Sequence, residues 1–234
     1  MEKTIEVFLE STKYCDCYNE SLIARASEII NSAEGKTEAA LKIFSYIRDK
    51  IPFNSTLKIY RKASTTMKDG TVDYCNKVNL HVAFLRAVGI PSRLRYAQID
   101  KEALKHFIPS FLYNRIPNPI GHTWCECYLD KRWISCEALF DESLYTGLRE
   151  GNLITSDDIP TIDWDGRTDL ILLSKWIIEY RESFTSFDDL LEIELEKVGY
   201  PPKIFCYLFN WLAAAGSRRT TNRIRSLVSS TPPL

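Results

Sequence analysis

The sequence predicts a mixed fold of helices and antiparallel strands. Two observations carry that reading. Apolar residues recur at helical spacing over 37–51 and again over 75–88. An alternating run at 123–129 is then joined to a second run at 132–138 by only Asp130-Lys131, the pattern of a β-hairpin.

Residues 1–19 show no regular period, and 21–31 fit a helix that Glu34-Gly35-Lys36 breaks. Thr37 is an N-cap candidate for the next helix, with Ala40, Ile43, Phe44, Ile47 and Ile51 on one face. Pro52 ends it, and 52–72 read as loop. From Cys75 to Val88 apolar residues lie nearly all round the helix, which predicts burial. Gly89 and Pro91 stop it, and 93–99 form a strand. Pro109, Pro117, Pro119 and Gly121 make 100–121 a long loop before the hairpin. A polar loop, a turn at 163–166 and helices near 169–181, 187–198 and 203–215 follow, with a fraying tail from Gly216.

Composition narrows the function. The chain has 234 residues, 45% hydrophobic and 26% charged, with net charge −1, so a nucleic-acid partner is not expected. No apolar run reaches the ~18 residues of a membrane helix. The acidic, charge-broken start MEKTIEVFLESTKYCDC does not read as a secretory signal. Seven cysteines, an odd number without secretory context, read as reduced thiols of a cytoplasmic protein.

Three side chains at element edges form a chemical pattern: Cys75 heading a helix, His122 before a strand, Glu137 at the end of the next. A free thiol has a pKa near ~8.5 and needs help to become thiolate. Unsatisfied N–H groups in the first helical turn supply some of that help, and a neighbouring imidazole supplies more. A carboxylate beyond the imidazole orients it. Pairing about Asp130-Lys131 puts Glu137 opposite position 124, two residues from His122 and on the same strand face, so the hairpin brings the two together. Singly, each residue has an ordinary reading as core thiol, cap or surface charge.

The segment DYCNKVNLHVAFLRAVGIPSRLR resembles the nucleophile helix and following strand of the transglutaminase-like superfamily, with its LRA-x-GIP-[AS]-R phrase. GHTWCECYLDKRWISCEALFD resembles that family's H-x-W-x-E-x-Y phrase, a tryptophan and then an acid four residues on. The resemblance covers about 37–140, and IDWDGRTDLILL at 162–173 is similar to a trailing element of small microbial members. It implies an α+β, papain-like core of helices packed on an antiparallel sheet, with Cys75 as nucleophile, His122 as base and acid, and Glu137 as orienting carboxylate. The domain reading is an N-terminal extension and helix at 1–36, a catalytic core at 37–173, and a C-terminal helical extension with a frayed basic tail at 174–234.

Three positions depart from the family pattern. Asp73 stands where Gly is common, Asn76 where crosslinking members carry an aromatic residue, and Glu137 where Asp is usual. The implied activity is acyl transfer or hydrolysis on a peptide, protein or small amide or amine substrate, through a Cys75 thioester and without a cofactor. The alternative is a degenerate domain kept as a protein-binding module. Oxyanion or cleft candidates are Asn54, Tyr60, Tyr74, Asn76 and Trp124, beside the backbone N–H of Cys75. Asp73 and Glu126 add negative charge near the cleft if exposed.

Cys125, Cys127 and Cys136 lie on the hairpin, with Cys125 opposite Cys136. A zinc site wants four ligands at closer pairings such as C-x2-C, so no metal is expected and core packing is the reading for these thiols. His81 is read as structural and His106 as a loop residue bordering the cleft. Arg218, Arg219, Arg223 and Arg225 read as a solvated basic tail.

Overall fold

The computed structural model of the chain describes residues 4–54, 61–70, 72–191, 216 and 218–228. Helix α1 (Glu20–Ile29) starts at Asn19, whose side chain accepts the Ser21 N–H at 3.1 Å. Helix α2 (Lys36–Lys50) buries Ala40, Ile43, Phe44 and Ile47 as the spacing predicts. Gly35, not Thr37, occupies its N-cap. Helix α3 (Ala63–Asp69) forms inside the stretch expected to be loop. Helix α4 (Tyr74–Ala87) is buried along almost its whole length. It ends at Gly89, whose φ of +74° lets the Ile90 N–H reach back to the Leu85 carbonyl at 2.9 Å.

Strand β1 (Ser92–Ile99) runs antiparallel to β2 (Ile120–Leu129), which begins early enough to place His122 within the strand. Between them the expected long loop carries a 3₁₀ turn, Lys101–Leu104, and the short helix α5 (Ser110–Tyr113). Strand β3 (Arg132–Ser135) pairs with β2 in the predicted register, Glu126 opposite Ser135 and Tyr128 opposite Trp133. Asp130 and Lys131 both take positive φ, the conformation of a two-residue turn matched to strand twist.

After β3 the chain changes partner. Cys136 keeps a bond to the Cys125 carbonyl and also bridges Leu170 in parallel, and the Glu137 N–H donates to the Leu170 carbonyl at 3.1 Å. Helix α6 (Glu142–Glu150) follows, capped by Asp141. The helix expected near 169–181 does not form. Strand β4 (Ile177–Phe184) stands there instead and completes a curled antiparallel sheet of order β3-β2-β1-β4. The second edge of β1 offers a row of backbone partners to this segment, and Phe184 packs edge-on against Tyr96 at 5.8 Å. The fold is thus α+β, helices on an antiparallel sheet, and the sheet extends past residue 173.

Buried Arg86 ties distant segments together by donating to the carbonyls of Ser92, Glu10 and Thr185. The expected fraying tail is a docked helix over 218–227. Thr221 and Ile224 are buried, and Arg225 donates to the Phe53 carbonyl at 2.7 Å and pairs with Asp141 at 2.6 Å. Of the helix expected at 187–198, residues 187–191 are helical; its remainder, and the one expected at 203–215, lie outside the described residues.

Candidate active site

The site is built where the start of α4 meets the hairpin. Asp73 caps α4, its carboxylate accepting the Asn76 N–H at 3.0 Å and the Asn76 side-chain amide at 2.6 Å. Cys75 therefore sits in the first turn, half-buried, among N–H groups at the positive end of the helix. The ring of its neighbour Tyr74 lies 6.0 Å from the ring of His122.

His122 and Glu137 meet directly. Nε2 of His122 lies 2.9 Å from Oε1 of Glu137, with the two side chains 6% and 1% exposed, so the contact is shielded from water. The other carboxylate oxygen accepts the Leu172 N–H at 2.6 Å. Glu137 is thus held by backbone from 170–172 on one side and holds the imidazole on the other. With Nε2 given to Glu137, the nitrogen left for a thiol is Nδ1. Trp124, two residues along β2, stacks on the His122 ring at 5.8 Å and donates its indole N–H to Ser135 Oγ at 3.0 Å.

Asp73 bears on Cys75 electrostatically. Burial pushes its carboxyl up to about 6, against hydrogen bonds from Asn76 and the backbone N–H groups of Asp73 and Cys75. Asp73 and Glu126 are both buried, so neither charges an open cleft wall. Glu126 pairs with Arg93 at 2.7 Å, and that guanidinium lies 4.1 Å over the Trp133 ring.

The cleft candidates separate. Asn54 Oδ1 accepts from Thr221 and Arg225, which ties it to the C-terminal helix. Asn76 is buried, its amide nitrogen on Asp73 and its oxygen on the Arg61 N–H at 3.1 Å. Both amides work as structural ties. Trp124 packs wholly buried, and Tyr60 lies outside the described residues. Tyr74 lies beside His122. His106 lines a separate crevice with Phe107, Phe140 and Trp176. Leu172 escaped sequence reading because a backbone donor leaves no side-chain signature. Lys77 escaped it as one charge in a helix. Fully buried, it donates to the Leu139 carbonyl at 3.0 Å and the Arg48 carbonyl at 3.2 Å, joining the helix of Cys75 to the segment of Glu137.

Residues 23–138 match the family described as the transglutaminase-like superfamily. Among solved structures, a candidate cysteine protease from Cytophaga hutchinsonii aligns with TM-score 0.46 and 21% identity, over 59% of this chain and 43% of its own. A candidate protease from Parabacteroides distasonis aligns with TM-score 0.38 and 13% identity, over 57% of this chain and 25% of its own. The chain spans less than half the length of either. No curated protein matches it. Among the described residues no helix is long and apolar enough to cross a membrane.

Proposed function

The chain belongs to the transglutaminase-like superfamily through residues 23–138, and from that premise we propose that it is a thiol enzyme transferring or hydrolysing acyl groups through a thioester on Cys75. The observation that carries the reading is the buried His122–Glu137 contact through Nε2, beside a helix start that bears a half-buried cysteine.

In the proposed cycle His122 Nδ1 takes the Cys75 thiol proton, and the thiolate attacks the carbonyl carbon of an amide. The C–S bond forms as the carbonyl π electrons move to oxygen. The tetrahedral adduct collapses, the C–N bond breaks, and the leaving nitrogen receives the proton from Nδ1. A thioester remains. Water or an amine then attacks it, gives its proton to His122 and expels the thiolate, which takes that proton back from Nδ1 as acid or a new amide is released. Glu137 holds the Nε2–H tautomer throughout. Tyr74 is the proposed second oxyanion donor, alongside the Cys75 N–H. Peptides, proteins and small amides fit this chemistry, and the cycle needs no cofactor.

Alkylation of Cys75 by iodoacetamide, located by mass spectrometry across pH in wild type and His122→Ala, tests the proposal. The expected result is fast labelling below pH 7 that the variant loses. Labelling that rises only near the ~8.5 of an ordinary thiol, the same in both proteins, would overturn it. That second outcome belongs to the other reading, a non-catalytic binding module. The buried Asp73 carboxylate, two residues before Cys75, favours this other reading, because its charge opposes a thiolate.

A further inference from the structure

Behind the sheet lies a cluster that the proposed reaction does not use. Cys125 and Cys127 alternate along β2 with the residues of the His122 face and so lie on its other side. Cys136 lies opposite Cys125, its N–H on the Cys125 carbonyl at 2.9 Å. From α4, His81 reaches the same place: one of its ring nitrogens and the Sγ atoms of Cys125 and Cys136 all lie within 4.8 Å of one another. The Cys127 Sγ is 4.0 Å from the Cys136 Sγ. We propose that His81, Cys125, Cys127 and Cys136 hold a zinc ion between α4 and the hairpin.

Geometry and donor chemistry support this. With Zn–S near ~2.3 Å, two sulfurs of a tetrahedral site lie about 3.8 Å apart. His81, Cys125 and Cys136 therefore need only a small contraction to close on an ion, and Cys127, outside that close group but 4.0 Å from Cys136, must swing in as the fourth donor. Three thiols and an imidazole are soft and borderline donors, which select zinc over calcium or magnesium. The deciding observation is His81. It is 1% exposed, and its Nε2 has no hydrogen-bond partner among the described residues. Three buried thiols pack as small apolar side chains without further explanation. A buried ring nitrogen with no partner does not, and a metal would supply that partner. Burial also lowers the His81 pKa to about 3, keeping the ring in its neutral, ligating form. Burial raises the Cys125 and Cys136 thiols, and the hydrogen bond with Cys136, then burial, raises Cys127, so zinc entry would release their protons to solvent. The consequence for the fold is a fastener joining the helix of Cys75 to the strand of His122.

The test is elemental analysis of the full chain, purified under reducing conditions without chelator. The expected result is about one zinc per chain, falling at least about tenfold in Cys125→Ala/Cys136→Ala while the far-ultraviolet dichroism persists. If that variant does not fold, wild type expressed in cobalt-supplemented medium replaces it. Intense sulfur-to-cobalt charge transfer with tetrahedral d–d bands is then expected. Folded wild type without stoichiometric zinc, carrying cobalt only with an octahedral spectrum, overturns the proposal. So does zinc retained undiminished in the folded double variant. None of these readouts depends on enzymatic activity, so the outcome is separate from that of the proposed reaction.

Discussion

Glu137 holds His122 through Nε2 at 2.9 Å while its second oxygen takes the Leu172 N–H at 2.6 Å. The carboxylate thus has one direction fixed by backbone and one by the ring. That arrangement selects the tautomer with the proton on Nε2 and the lone pair on Nδ1.

Glu137→Gln should invert that choice. The glutamine oxygen can keep the Leu172 N–H, and its amide then donates to Nε2 and drives the proton to Nδ1. In the proposed cycle the Cys75 thiol then loses its base. Turnover, or Cys75 alkylation below pH 7, should fall by about a hundredfold or more. A change of less than threefold would show that the contact is structural only.

Asp73→Asn keeps a capping oxygen and removes a charge beside Cys75. Above about pH 6 the wild-type carboxylate is ionised and opposes a thiolate. The variant should therefore alkylate several-fold faster at pH 7.5, with the gap closing towards pH 5. Stability has its own sign. The folded pKa, about 6, lies above the unfolded value near ~3.9, so wild type loses stability as pH rises between the two. Urea unfolding should show the variant gaining on wild type between pH 4 and 7 by up to roughly 3 kcal/mol. A pH-independent difference would remove the buried-carboxylate account.

Lys77→Met probes the tie between the helix of Cys75 and the segment of Glu137. Burial lowers the Lys77 pKa to about 7, far below the ~10.4 of an unfolded lysine. Between those values the unfolded chain binds more protons, so wild-type stability rises with pH. The variant should lose that alkaline gain, roughly 2 kcal/mol between pH 7 and 9. It should also slow Cys75 alkylation below pH 7 through the unmet Leu139 and Arg48 carbonyls. Parallel pH–stability curves for the two proteins would sink this reading.

Gly147→Ala sets propensity against packing. In an exposed helix the change gains about 1 kcal/mol. Here the new Cβ would stand 2.1 Å from the Ile224 carbonyl oxygen. Backbone cannot swing aside as a side chain can, so the clash outweighs the gain, and a loss of about 1–3 kcal/mol is expected. A raised urea midpoint would mean that the C-terminal helix does not dock on α6.

The alternation of 123–129, the two-residue link and the apolar face of α2 determined local structure, because side-chain periods of 2 and 3.6 are properties of neighbouring residues. The hairpin register followed from the link, and with it the meeting of His122 and Glu137. Those two residues, with Cys75, could be picked out as chemistry-bearing because thiol, imidazole and carboxylate stood in family order at element edges. Asn54 and Asn76 could not be assigned, since an amide near a helix start serves a cap or a cleft equally well, and only their partners decide. Helix α6 was hidden by Gly147, a poor helix former whose place is required by Ile224, far along the chain. The segment at 177–184 became strand rather than helix because the edge of β1 needed a partner. The docking of 218–227, the support of Glu137 by Leu172 and the approach of His81 to the hairpin thiols were likewise decided by tertiary structure alone. Each joins residues far apart in the chain, and the stabilising surface or donor exists only once the rest has folded around it.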